Sequence, residues 1–415
     1  MQTEKRILAG IVLACITLIA VTQIRTTAIQ TRTFLDEYTK DSSKTLTTYA
    51  KTINEAYRAI LKHNEGIPII DRGAYINLNG FMANAMNQKF ANDVVKLRNG
   101  HLARLQKKGV IDKNLITQVV KLSNWQKERG KQFLFVLAPY QFSNTEDALP
   151  AGYEDFSEAN ADDLLAALRR NDVSVLHLRE KMYEQNLNGN DIMFKTDHHW
   201  TWPGAFWGYT EMIKYLEENN SLPQNPDANI SLHDVINLEN YIIETYRNVW
   251  IGSDGKRIGK YYNGMDDFQH LFPIFNTNLN IDISAKNINK TGSIKDIYTA
   301  NPYDPNKEIR IFTDNLYNLI GHWNQGIVRY TNPNAPLDTK ILMYSDSFGL
   351  AVEPFMSMTS TNFDIITNNS YKESFEEYIT NYDPDIMIFL LYTRYIPGND
   401  YLNYNFLPSY NTEVK

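Results

Sequence analysis

The chain has 415 residues, 43% of them apolar and 21% charged, and a formal net charge of −7 at pH 7. A chain of that length and composition buries a sizeable core, which excludes intrinsic disorder. The acidic balance, with no cluster of lysine and arginine among aromatics, excludes a nucleic-acid-binding face.

Residues 7–24 form an uncharged run of eighteen behind Lys5 and Arg6. At about 1.5 Å per residue the run crosses most of a hydrocarbon core of roughly 30 Å, and the basic residues before it keep the amino terminus cytoplasmic. The expectation is a signal anchor over 1–25 that holds the rest at the cell membrane, on the periplasmic or extracellular side. A cleaved signal peptide and lipidation at Cys15, in the loose lipobox Val12-Leu13-Ala14-Cys15, are the alternatives. No A-x-A site closes the run, and apolar residues continue past Cys15. Cys15 is the only cysteine, so no intrachain disulfide forms. Over 26–70, Leu35, Tyr38, Leu46, Tyr49, Ile53, Tyr57 and Ile60 fall largely at helical spacing, which predicts a stalk or an amphipathic helix. Residues 73–80, with their glycines and asparagines, read as a turn or short hairpin.

From residue 111 onward helices and strands alternate. Helices are predicted over 111–129 and 159–170, strands over 133–138 and 173–178, an extended segment over 194–200 and a helix over 203–218. The alternation resumes with a strand at 340–344, a helix at 350–358, a strand at 363–367, a helix at 372–380 and a strand at 385–392. This predicts an α/β domain over 71–415, with a doubly wound, mostly parallel sheet and helices on both faces. Sites in such sheets lie at the carboxyl ends of strands. Residues 222–336 are rich in Asn, Asp, Tyr, Lys and Gly, and read as an inserted β or loop region over the site. Trp250, Tyr261, Tyr262 and Trp323 within it suit sugar faces or ordinary packing.

Two stretches carry chemistry. FKTDHHWTWPGA, 194–205, places an acid, two histidines and two tryptophans just before a helix, and in an extended chain Asp197 and His199 share a face while His198 takes the other. ILMYSDSFG, 341–349, is an apolar run that ends in a turn at Ser347 before a helix, the setting that exposes a serine hydroxyl at a sheet edge. A serine hydroxyl needs a base, and imidazole needs a carboxylate on its other nitrogen to fix the tautomer. Asp197 as orienter, His199 as base and Ser347 as nucleophile satisfy that need. The alternatives are a turn serine and a helix-capping Asp-x-His. A metal held by Asp197, His198 and His199 is a further one, but the sequence has no HxxxH, CxxC or carboxylate cluster to complete a shell, so no metal or other cofactor is expected.

Together the two stretches resemble the SGNH-like proteins of the alginate O-acetyltransferase AlgJ/AlgX type and the bacterial DHHW family. There a D-x-HW-[ST]-x-x-GA segment precedes a [GK]-DSF segment; here TDHHWTWPGA stands at 196–205 and YSDSFGLAVEPFM at 344–356, with Ser345 where glycine or lysine is usual. Fainter echoes lie at 133–142, 249–268, 321–324 (GHWN) and 385–395. The resemblance implies an SGNH-like fold with Asp197, His199 and Ser347 as a catalytic triad. It makes Asn324, with the amide of Ser347 or Phe348, the oxyanion donors. Tyr140, Trp200, Trp323 and Arg394 are candidate substrate contacts; Arg394 meets an anionic glycan or snorkels at the sheet edge.

The function so implied is an anchored extracytoplasmic O-acetyltransferase. It would take acetyl groups from a membrane-bound O-acyltransferase and pass them through an acyl-serine to a secreted polysaccharide or cell-wall glycan. The alternatives are a carbohydrate acetylesterase, and a non-catalytic glycan-binding or assembly subunit of a polysaccharide or teichoic-acid modification system.

Overall fold

A computed structural model of the protein describes residues 72–141, 143, 148–219, 222–298, 311–367, 370–396 and 405–414. The expected anchor at 1–25 and stalk at 26–70 lie outside the described residues, among which no helix is long and apolar enough to cross a membrane. The chain divides into two compact units, 1–79 and 80–415, and the division falls within α1 (Arg72–Ala85). This helix replaces the turn expected at 73–80. Gly80 serves close approach, since a Cβ there would lie 2.0 Å from the Ile258 carbonyl oxygen.

A small antiparallel sheet follows, made of β1 (Phe90–Ala91), β2 (Val94–Lys96) and β3 (Leu102–Ala103). Its first turn is Asn92-Asp93, with φ of 50° and 62°, the pair of left-handed residues that a two-residue hairpin requires. Next come α2 (Lys113–Glu128), β4 (Gln132–Ala138), α3 (Ser157–Arg170), β5 (Val175–His177), α4 (Leu178–Glu184) and α5 (Trp202–Asn219). Asp112 caps α2 by accepting the Asn114 amide at 2.8 Å. The region 222–336 supplies β6 (Tyr241–Trp250), β7 (Asp266–Pro273), β8 (Leu279–Ile283), β9 (Ile288–Gly292) and β10 (Ile327–Thr331). The chain closes with β11 (Leu337–Ser345), α6 (Gly349–Thr359), β12 (Ser360–Thr367), α7 (Phe375–Tyr382) and β13 (Ile386–Tyr392).

The main sheet has eight strands in the order β5-β4-β13-β11-β12-β10-β8-β9. The first five pair in parallel, and β10, β8 and β9 add on antiparallel. The sheet is therefore mixed. The central strands are apolar on both faces because both faces are covered. In β4, Leu134, Val136 and Ala138 join the core that holds Trp202, Phe206 and Phe355, from α5 and α6. Phe133, Phe135 and Leu137 join the opposite core, with Leu115 and Val119 of α2, Leu164 of α3 and Ile379 of α7. The period-two alternation thus sends alternate side chains to two helical layers.

Two further expectations are corrected here. Part of 222–336 extends the main sheet as β8, β9 and β10 instead of lying over the site, because Leu279, Ile281 and Ile283 alternate inward while residues 280–282 pair on β10. Residues 194–199 are a bent loop, not a strand. An isolated antiparallel bridge between Met193 and Trp200 closes it, and the Phe194 amide donates to the His199 carbonyl at 3.0 Å.

Candidate active site

The serine comes from the sheet. β11 runs between β13 and β12 and ends at Ser345, and Asp346 to Phe348 turn the chain into α6. The turn is shaped by the Asp346 carboxylate, which accepts the Phe348 amide at 2.9 Å and the Tyr392 amide at 2.6 Å. Burial raises the Asp346 carboxyl to about 6 against those bonds. The Phe348 amide is thereby committed, which removes it as an oxyanion donor. The Ser347 amide makes no hydrogen bond among the described residues and stays a candidate.

The histidine comes from the loop, which is gripped from the inserted region. Asp266 of β7 accepts the amides of Lys195 (2.7 Å) and Thr196 (2.8 Å) and the Thr196 hydroxyl. Thr196 in turn accepts the Gly252 amide on its hydroxyl at 2.9 Å and the Gly255 amide on its carbonyl at 2.8 Å. A Cβ on Gly252 would lie 2.1 Å from the Asp197 Cβ, so only glycine lets the two backbones meet. That approach delivers the Ser253 amide to Asp197 Oδ2 at 2.5 Å.

These contacts hold a continuous hydrogen-bonded chain. Asp197 Oδ1 accepts the His199 backbone amide at 2.9 Å and faces His199 Nδ1 at 2.5 Å; His199 Nε2 lies 2.6 Å from Ser347 Oγ. The carboxylate requires a proton on Nδ1, which leaves the Nε2 lone pair for the serine hydroxyl. Burial pushes the Asp197 carboxyl up, but His199, His198 and the bonds from His199 and Ser253 outweigh it and hold it well below the usual carboxylate range. Trp200 ties the two segments together, since its indole N–H donates to the Phe348 carbonyl at 3.2 Å.

His198 does not project away as an extended chain would place it. Its ring lies 3.9 Å from that of His199, and its Nδ1 pairs with Ser253 Oγ at 2.8 Å. Burial and then the charge of His199 drive its pKa well below the usual value, so at neutral pH it is an uncharged neighbour of Asp197, 3.6 Å away. Asp197, His198 and His199 offer ligand atoms within 4.8 Å of one another. A metal there would compete with the bonds from Ser253 to Asp197 and His198 and with the His199–Ser347 bond.

The segment 316–324 covers this centre. Tyr317 stacks on His199 at 3.8 Å and 17°. Gly321 packs so closely on α6 that a Cβ would lie 2.6 Å from the Leu350 carbonyl oxygen, and His322 Nδ1 meets the wholly buried Glu353 of α6 at 2.7 Å. Asn324 sits at φ 58°, exposed, with its amide donating to Thr367 Oγ1 at 3.0 Å. Thr367 pairs with Ser345, so Asn324 stands at the carboxyl edge that bears Ser347.

Of the expected substrate contacts, Tyr140 and Trp200 are fully buried and present no free ring face; Tyr140 stacks on Tyr392 at 5.7 Å and donates to the Arg104 carbonyl. Trp250 and Tyr262 are buried too, whereas Tyr261 is exposed. Trp323 is half-buried against the core, and Arg394 is half-exposed just beyond β13. Charges absent from the expected set also surround the site: Arg104 pairs with the buried Asp254 at 2.6 Å, next to Ser253.

The chain has an SGNH-like α/β fold. Residues 100–241 match the family described as the SGNH hydrolase-like domain of acetyltransferase AlgX, about a third of the chain, including the Asp197 loop but not Ser347. Bacillus cereus PatB1 is similar at 19% identity and a TM-score of 0.57, over 75% of this chain and 99% of that one. The same protein solved with a sulfonyl adduct gives 18% and 0.55, over 75% and 100%. A DHHW family protein from Eubacterium siraeum gives 16% and 0.52, over 75% and 94%. No curated protein sequence matches the chain.

Proposed function

We propose that the protein is a serine O-acyltransferase that moves an acetyl group through an acyl-Ser347 onto hydroxyls of a polysaccharide or cell-wall glycan outside the cytoplasm. The observation that carries this reading is the unbroken relay from Asp197 through His199 to Ser347 Oγ, with distances of 2.5 and 2.6 Å. Support for acetyl as the group comes from the match of residues 100–241 to an acetyltransferase domain.

In the first half-reaction His199 Nε2 takes the Ser347 proton as Oγ attacks the acyl carbonyl carbon. The tetrahedral oxyanion is met by the Ser347 amide and by Asn324. The imidazolium, steadied by Asp197, gives its proton to the departing donor oxygen as the acyl bond breaks. In the second half-reaction the glycan hydroxyl takes the donor's place and loses its proton to Nε2, and Ser347 leaves protonated. The amino-terminal run would anchor the domain at the membrane, where a membrane-bound O-acyltransferase would supply the acyl group.

The test is turnover of an activated acetyl ester by the parent protein and Ser347→Ala, with and without an oligosaccharide acceptor. Acetylated oligosaccharide from the parent alone is expected. Acetate without acceptor dependence would make the protein an esterase, and equal turnover by both proteins would leave a non-catalytic subunit.

A further inference from the structure

A cavity of about 530 Å³ opens beside the Asp197 loop, lined by Lys89, Lys96, Arg98, Leu97, Pro150 and Tyr153. Gly100 also lines it, and the Lys195 side chain passes 3.9 Å from the position of a Gly100 Cβ. Lys195 lies two residues before Asp197, and its carbonyl accepts the Leu102 amide of β3 at 2.9 Å, so the cavity and the relay share one loop. Three cations thus line one concavity, with Lys195 as a fourth beside Gly100 at its edge, in a protein whose net charge is −7. Among the described residues, none of the four has a carboxylate oxygen within 4.0 Å. Lys89 donates to Asn87 Oδ1 (2.7 Å) and Lys96 to the Tyr262 carbonyl (3.0 Å), with Lys96 Nζ also 5.2 Å from the Tyr262 ring; none of these partners carries a formal negative charge. Burial, then Lys89 and Lys195, lower the pKa of Lys96, as expected where like charges are crowded together. An apolar wall completes the cavity: Tyr153, half-exposed, packs 6.2 Å from the exposed Phe90.

Crowded, unneutralised cations around a cleft repel one another, and a bound anion relieves that cost. Aromatic rings beside them give a sugar a flat apolar face. We infer that this cavity binds an anionic stretch of the glycan acceptor, a sugar or polyol unit carrying phosphate or carboxylate, next to the loop that holds the base. The inference rests on the acyltransferase reading for the word acceptor, but the binding itself does not depend on catalysis.

The experiment therefore measures binding by the full-length protein carrying Ser347→Ala, at low and moderate salt. The probes are poly(glycerol phosphate), a polyuronate and a neutral glucan; the parent is compared with Lys89→Gln/Arg98→Gln and with Lys96→Gln. Both anionic polymers should bind more tightly than the neutral glucan, with an advantage that shrinks with salt. The double variant should lose about tenfold in affinity for them while keeping its thermal midpoint. The stronger of the two anionic polymers identifies phosphate or carboxylate as the recognised group. Equal affinity of parent and variants, or no preference over the neutral glucan, would overturn the inference. Variant-sensitive binding to phosphatidylglycerol vesicles that neither polymer competes away would also overturn it, in favour of a lipid headgroup. Failure of the acyltransferase reading appears separately, as ester turnover unaffected by Ser347→Ala.

Discussion

The parallel half of the sheet and the inserted region place the members of the proposed relay in different ways. The parallel strands set Ser347 by regular backbone pairing, with β11 held on both sides in register to its last residue. The inserted region sets His199 by individual contacts on an irregular loop: a carboxylate on two amides, a glycine against Asp197, a ring on the imidazole. Strand regularity tolerates changes of side chain, whereas a loop held by single contacts does not. The placement of Ser347 should accordingly be robust to mutation around it, and that of His199 fragile.

The largest effects test the relay itself. Ser347→Ala and His199→Ala should each cost about 10⁴-fold or more in kcat, and the double variant should be hardly worse than either, because the members act as one unit. Asp197→Asn should cost about 10⁴-fold, since the amide favours the wrong tautomer. His198→Ala, which touches Ser253 and not Ser347, should lose less than about tenfold. Comparable losses at 198 and 199 in steady-state turnover would reverse the assignment of the base. The contrast between the regions is then sharpened by Gly252→Ala. Its methyl group must push Asp197 away, so kcat should fall about 10- to 100-fold with far-UV circular dichroism intact. Unchanged kcat would mean that the inserted region does not position the acid.

The same contrast explains what was legible in the sequence. The strands at 133–138 and 385–392 and the helices around them were readable because apolar runs of that length, flanked by capping and turn residues, have few other structures open to them. Ser347 stood out because its strand ends in a turn before a helix. Asp197 and His199 were readable as residue types, but their geometry was not: an Asx-type turn, not strand alternation, brings them together. Ser253 contributes an amide, and backbone donors leave no residue signature. Gly252 and Gly80 look like turn glycines in the sequence, yet both are set by what packs on them from far along the chain. Tyr140 and Trp200 read as ligand contacts because an aromatic in a motif says nothing about the face it shows.

A smaller effect, on stability, tests how the cover is held. Glu353 is fully buried in α6 and accepts from the His322 amide at 3.0 Å and from Tyr330 at 2.5 Å, besides facing His322 Nδ1. Glu353→Gln replaces one acceptor oxygen with a donor against donors. It should cost about 1–3 kcal/mol in urea unfolding. It should also reduce kcat less than Gly252→Ala, because 316–324 keeps the Gly321 and Asn324 contacts. A neutral unfolding result would mean that the cover is held by its apolar residues alone.

The smallest effect lies in the sheet, where β12 meets the antiparallel extension. Asp364 of β12 is buried, accepts from the Tyr378 hydroxyl, and lies 3.6 Å from Arg329 of β10. Burial raises its carboxyl to about 7, more than Tyr378 and Arg329 lower it. The folded protein therefore holds this proton at pH values where the unfolded chain, with a carboxyl near 3.9, has released it. By linkage Asp364 lowers stability progressively as pH rises from about 4 to about 7, and its cost is complete above that. Asp364→Asn cannot titrate, so its stability relative to the parent should improve across that window and stay level beyond it. Thermal midpoints of the two proteins at pH 4, 5.5, 7 and 8 measure the difference directly. The comparison cancels the buried histidines, which have the opposite sign: His101 and His270, lowered to about 4, destabilise the fold as pH falls below 6.5. A difference that grows toward acid pH would mean that Arg329 holds Asp364 ionised, and that the join between the parallel and antiparallel strands is an ion pair instead of a protonated carboxyl.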